Sequence, residues 1–167
     1  MYADIVRQFS FSLNNLDHWL EKAAAHAEAR GFSPDTFLAT RLAPDMLPFT
    51  KQVQIACDAA KAAGAAVSAT TSPRFEDNEA TLGALRERIG KTRGWLDGLN
   101  FSDPVCSDGS RMVPVGFPPD KKMRLHDYML MRQVPNFHFH LVTAYALLRS
   151  GGVQIGKGDF LGAIPMV

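Results

Sequence analysis

From Tyr2 to Arg30 the chain carries one unbroken amphipathic stripe. Tyr2, Ile5 and Val6, Phe9, Leu13, Leu16, Leu20, Ala23 and Ala27 succeed one another at steps of three and four. That is the spacing of an α-helix with a single buried face. Gly31 suits the left-handed residue that closes a helix, and Pro34 lies just beyond it.

The same period returns three times. A second helix is expected to begin near Pro44, with Asp45 in its first turn, where a carboxylate complements the helix dipole. Its stripe is Met46, Phe49, Val53, Ala56, Ala60, Ala63 and Val67, and from Ala59 to Ala69 it is mostly alanine and glycine, so a neighbouring helix can come close. Thr70 to Arg74, with Pro73, breaks it. A third helix is expected from about Asp77 to Leu99 on the stripe Leu82, Leu85, Ile89, Thr92, Leu96 and Leu99, with Arg86, Arg88, Lys91 and Arg93 as a solvated face. Asn100 to Lys122 has no helical period. Ser107-Asp108-Gly109-Ser110 signals a turn there, and Arg111 to Val115 suits a short strand, but Pro104, Pro114, Pro118 and Pro119 oppose a substantial sheet. Met123 to Val134 reads equally as helix or strand. A fourth helix is expected from near Pro135 to Gly151-Gly152, followed by an irregular, glycine-rich tail from Val153 to Val167. These elements predict an all-α four-helix bundle forming one domain over residues 1–167, with an irregular insert between helices 3 and 4.

Charge and composition exclude several classes of function. With 18 basic and 17 acidic residues and no basic run, a nucleic-acid partner is not expected. No apolar run approaches the length of a membrane span, and Met1 to Gln8 carry Asp4 and Arg7 instead of a leader's apolar segment, so a cytoplasmic protein is expected. Cys57 and Cys106 show neither zinc spacing nor a disulfide framework and read as reduced thiols.

The residues with chemistry gather in the last third. His138 and His140 are two of the five histidines. Two positions on a helix are roughly 200° of rotation, so only one can face inward and the two cannot share a metal. Asn136 and His140, four apart, share a face. Asp45 and Gln52 on helix two could meet the same end of the bundle, which makes Asn136, His140, Asp45 and Gln52 the candidate ligand pocket. His140 is the candidate metal ligand, zinc or nickel being the metals its imidazole suits. The alternative for His140 is a packed histidine bonded to a carboxylate or carbonyl. His18 and His26 lie off the first stripe and are expected in solvent, and Trp19 and Trp95 are expected in the core or at its rim. Gly151 to Gly158 fits G-x-x-x-x-G-K, but Gly158 lacks the hydroxyl that would hold magnesium and the motif follows a helix, so no phosphate loop is expected.

The run Pro135-Asn136-Phe137-His138-Phe139-His140, with Ala144-Tyr145, Leu148-Arg149, Gly156-Lys157 and Asp159-Phe160-Leu161-Gly162, resembles a bacterial family of unknown function, DUF1993. Asp45-Met46 and Gln52-Val53-Gln54 are similar to it as well. That family looks like a branch of the DinB/YfiT-like superfamily, whose members are four-helix bundles, often dimeric. Many of them bind a divalent metal through one histidine on helix two and a His-x-x-x-His pair on helix four, and some are thiol-dependent transferases. In them an arginine follows the second histidine by nine residues, as Arg149 follows His140. The resemblance therefore makes His140 the second ligand and puts Asn136 in the place of the first. No histidine lies between Gly31 and Leu125, so the helix-two ligand has no counterpart.

Three functions follow as expectations. The first is a DinB-like bundle with a small-molecule pocket and a degenerate metal site. The second is a divalent-metal-dependent thiol transferase or hydrolase, with Asp45 as a further ligand. The third is a structural or interaction homodimer built through the first helix or the alanine-rich second.

Overall fold

In the computed structural model, which describes residues 1–116 and 118–164, α1 runs over Tyr2–Arg30, α2 over Phe49–Ser68 and α3 over Leu82–Asp97. Three elements then join end to end: α4 (Leu125–Asp127), a π-helical stretch (Tyr128–Gln133) and α5 (Val134–Ser150). The residues at their junctions all keep right-handed helical geometry, so 125–150 is one continuous rod. A short α6 (Lys157–Leu161) closes the described chain. The readings of the insert and the tail extend over residue 117 and residues 165–167, which lie outside those described.

Helix α1 has the bounds that its stripe predicts, and Gly31 ends it at φ 72°, donating back to Ala27 and Glu28. The stripe is buried from Tyr2 to Ala27, with Trp19 inside it and Ile5 packed against it. Between α1 and α2, Pro34–Ala39 forms a 3₁₀ turn that buries Phe37.

Helix α2 begins later than expected. Pro48, not Pro44, precedes its first turn, so Asp45 lies exposed in the bend ahead of it and Met46 is outside the helical stripe. The alanine face turns inward: Ala59, Ala60 and Ala63 are buried. Gly64 lets α3 approach, since a Cβ there would stand 2.8 Å from both Leu96 Cδ2 and Leu99 Cδ1. Those three residues are core, while Ala62, Ala65 and Ala66 of the same helix stay half-exposed.

Helix α3 starts at Thr81, whose side chain accepts from Ala84 N–H, not at Asp77. Its stripe is buried as expected from Leu82 to Leu96. Arg88 departs from the expected solvated face and is only 2% exposed.

The insert holds one antiparallel hairpin, β1 (Met112–Pro114) and β2 (Lys122–Arg124), with Val113 opposite Met123. Arg111 ties it to α2 by donating to the Ala66 and Val67 carbonyls, two of the acceptors a helix leaves unpaired at its end. Val113 and Val115 are buried beneath it.

The rod's π-helical stretch has a local cause. Pro135 has no N–H and its ring crowds the carbonyl four residues earlier, which an undistorted α-helix cannot accommodate. Widening ahead of it lets Val134 N–H reach back five residues to Met129. Around one core, α2 packs mainly on α5 and α1 mainly on α3, and Phe9 of α1 stacks on Phe137 of α5 at 4.1 Å. No helix among the described residues is long and apolar enough to cross a membrane.

Candidate functional site

Where α2 meets α5, Gln52 and His140 are both buried and joined, His140 Nδ1 standing 2.7 Å from Gln52 Oε1. The protonation is set by what Gln52 does next. Its Nε2 donates to the Leu47 carbonyl at 2.8 Å, so its oxygen is the end that accepts, and Nδ1 must carry the hydrogen. Burial holds the imidazole below its ordinary pKa, in the neutral form. His140 is therefore a fixed Nδ1–H tautomer whose Nε2 keeps its lone pair. The start of α2 sets this up, since Pro48 ends the bend and leaves the Leu47 carbonyl within reach of Gln52.

One turn earlier on α5, half-buried Asn136 makes no side-chain hydrogen bond to a described residue and borders a chamber of about 370 Å³. Asp58 of α2 and Tyr128, Arg132 and Gln133 of the π-helical stretch border it too. Burial pushes the Tyr128 hydroxyl above its ordinary pKa, against the opposing pull of Arg132 and Gln133.

The structure thus brings Gln52 and His140 into contact and places Asn136 one turn away. Asp45 stays exposed outside this seam. His138 turns away, donating to the Val134 carbonyl at 2.8 Å with its ring edge-on to Phe9. His18 is exposed as expected, whereas His26 is half-buried against Phe32 and Phe37. At the tail, the Gly156 N–H that a phosphate would need donates instead to Asp159 at 2.8 Å.

The donors at the seam do not fit a tightly held divalent metal. One imidazole stands with the amides of Gln52 and Asn136, and neutral amides are poor partners for zinc or nickel beside nitrogen, thiolate or carboxylate. Among the described residues no three His, Cys, Asp or Glu side chains lie close enough to hold an ion.

Sequence reasoning missed a second cluster of charge. Arg88 donates to Glu79 at 2.9 Å and to Asp58 at 3.0 Å and pairs with Asp77 at 3.1 Å. Lys61 also pairs with Asp58 and lies over the Phe75 ring at 4.0 Å. Burial alone would raise the Glu79 pKa, but its bonds from Arg88 and Gln54 outweigh that and hold it below the usual value. This cluster pins the 70–81 connection onto α2 and α3. The signal was present, since Arg88 follows Leu85 by three and precedes Thr92 by four and so falls on the buried face.

Comparisons with known proteins agree with this architecture. No curated protein matches the chain. The crystal structure of a DinB family member protein from Shewanella denitrificans is similar, with 36% sequence identity and a TM-score of 0.91, over 99% of this chain and 94% of that one. Residues 1–161 match the family described as "Domain of unknown function (DUF1993)". Almost the whole helical framework, including the seam between α2 and α5, falls within that match, and the chain belongs to the DUF1993 family.

Proposed function

We propose that this chain is a DinB-like four-helix bundle, with an irregular insert before its last long helix, that binds a small molecule at the α2–α5 seam without a tightly held metal. The observation that carries this is the open cleft of about 370 Å³ bordered by the uncommitted amide of Asn136, one turn from the His140–Gln52 pair, which does not itself border it. Pockets of this size suit small molecules when a few polar groups converge on them. Two buried, unpaired thiols fit a reducing compartment such as the cytoplasm.

A thermal-shift screen of small metabolites tests the proposal. A ligand that binds only the folded state raises stability, by about 2.7 kcal/mol at a hundred times its Kd. Some compounds are expected to raise the melting temperature of wild type and not of Asn136→Leu. A screen in which no compound separates the two proteins counts against the proposal. Zinc and nickel are expected to leave the melting temperature unchanged. Near-stoichiometric metal that disappears in His140→Ala would restore the metal-dependent transferase or hydrolase reading.

Self-association is a second reading, favoured by Met131, Phe139 and Val142, which are 75%, 56% and 48% exposed on the rod. It predicts a homodimer by light scattering that Phe139→Lys converts to monomer. A monomeric wild type removes it.

A further inference from the structure

We infer that the groove between α2 and the hairpin binds an amphipathic carboxylic acid, its carboxylate on Arg132 and its tail along the alanines of α2. This rests on the small-molecule reading above and assigns the ligand's chemistry.

The chamber beside Asn136 does not end at Tyr128. A second cavity of about 470 Å³ shares Ala62, Val115 and Tyr128 with it, so the two adjoin. The far part is mostly apolar, walled by Ala65 and Ala66 on one side and by Met112, Val113 and Pro114 of the hairpin on the other, with Thr70 and Arg111 at its border, the latter committed to the Ala66 and Val67 carbonyls. The alanines at positions 59, 62 and 66 follow one another along roughly 10 Å of helix, and Ala69 caps its end. Their small side chains leave a slot where larger ones would fill it.

The near part is polar. Asp58 is paired with Lys61 at 2.9 Å and, together with Asp77 and Glu79, with Arg88 at 3.0 Å. Arg132 forms no ion pair and donates no side-chain hydrogen bond among the described residues. A guanidinium in such a place takes a carboxylate, whose paired oxygens match its fork. Gln133 is 4% exposed, and its Oε1 has no hydrogen-bonding partner among the described residues. Buried acceptors of this kind are normally satisfied. Tyr128, Arg132 and Gln133 all belong to the π-helical stretch, a feature frequent at functional sites.

Calorimetric titration with N-decanoylglycine below its micellar concentration tests the assignment, with N-octanoylglycine, the decanoyl methyl ester and decylamine alongside. The acid is expected to bind at least tenfold more tightly than its ester. Each buried methylene tightens binding about fourfold, so the decanoyl compound, two methylenes longer, should exceed the octanoyl one about fifteenfold. Arg132→Gln is expected to weaken the acid about tenfold and leave the ester unchanged. Ala62→Phe, which fills the junction of the two chambers, is expected to abolish binding while melting within a few degrees of wild type. Equal binding of acid, ester and amine overturns the carboxylate assignment and leaves the pocket standing. Binding indifferent to Ala62→Phe overturns its placement. If no probe binds but the screen above still yields an Asn136-dependent ligand, this inference fails and the seam proposal survives.

Discussion

His140 and Gln52, 88 residues apart in sequence, meet in the core through one hydrogen bond of 2.7 Å from Nδ1 to Oε1. The bond welds α2 to α5 and selects the imidazole's tautomer. Gln52→Leu would leave the imidazole N–H buried and unpaired, at about 1–3 kcal/mol of stability. Gln52→Glu would set a carboxylate against the ring and raise the His140 pKa. Urea denaturation checks the first outcome, and the pH titration of the ring carbon proton by NMR checks the second.

Stability should fall with acid in two stages. The unfolded imidazole takes up its proton near pH 6.5, and the buried one only at lower pH. Below about 6.5 the unfolded state therefore holds more protons and gains on the native state. Asp77 and Glu79 lie below their usual values of 3.8 and 4.5, so what they contribute is present above that range and lost beneath it. Denaturation midpoints from pH 8 to pH 3 should show both stages, and His140→Leu should flatten the first alone.

Arg88→Met should destabilise by about 3–5 kcal/mol, because it leaves Glu79, itself 8% exposed, as a charge without its partner. Restoring neutrality with Glu79→Gln in the same chain should recover part of the loss. A double-mutant cycle in guanidinium reads the coupling, and additive losses would contradict it.

Neither cysteine should act as a nucleophile in the folded protein. Burial pushes the Cys57 thiol up to about 12, and Cys106 is buried as well. A disulfide exchange reagent at neutral pH should find no fast thiol in native protein and two after unfolding.

Ala69 closes α2 at φ 56°, a left-handed conformation that costs a side-chain-bearing residue about 1–2 kcal/mol. Ala69→Gly should raise stability by about 0.5–1 kcal/mol after glycine's larger entropy loss is counted. Thermal unfolding of the pair gives the sign directly.

What the sequence discloses about this fold depends on whether a position answers to its own neighbours or to distant ones. Helix α1 is legible end to end because its stripe and Gly31 are local signals. His140 and Gln52 could be named individually, but their bond depends on where α2 begins, and two prolines compete for that place. Asp45 was misplaced for that reason. The charge of Arg88 points to solvent while its position points to the core, and all its partners but Asp58 lie at 76–79, in a connection without period. The π-helical stretch did leave a trace. Leu125, Met129, Gln133, Phe137 and Leu141 are buried at four successive steps of four. Each such step overshoots an α-helical turn by about 40°, and the wider turn absorbs that drift.

The bonds that α1 makes set the order in which this chain can fold. Tyr2 meets His126 across 124 positions, and Trp19 donates to the Asp159 carbonyl across 140. Helix α3 covers the largest part of the apolar side of α1, and these remote segments cover part of the rest. Loop closure must be met before those contacts repay it, so folding should be slower than in helical proteins with mostly local pairings. Until residues 125–160 arrive, the ring faces that Phe9 and Trp19 stack on Phe137 and Phe160 remain uncovered, and a nascent chain stalled before that point would be a client for chaperones.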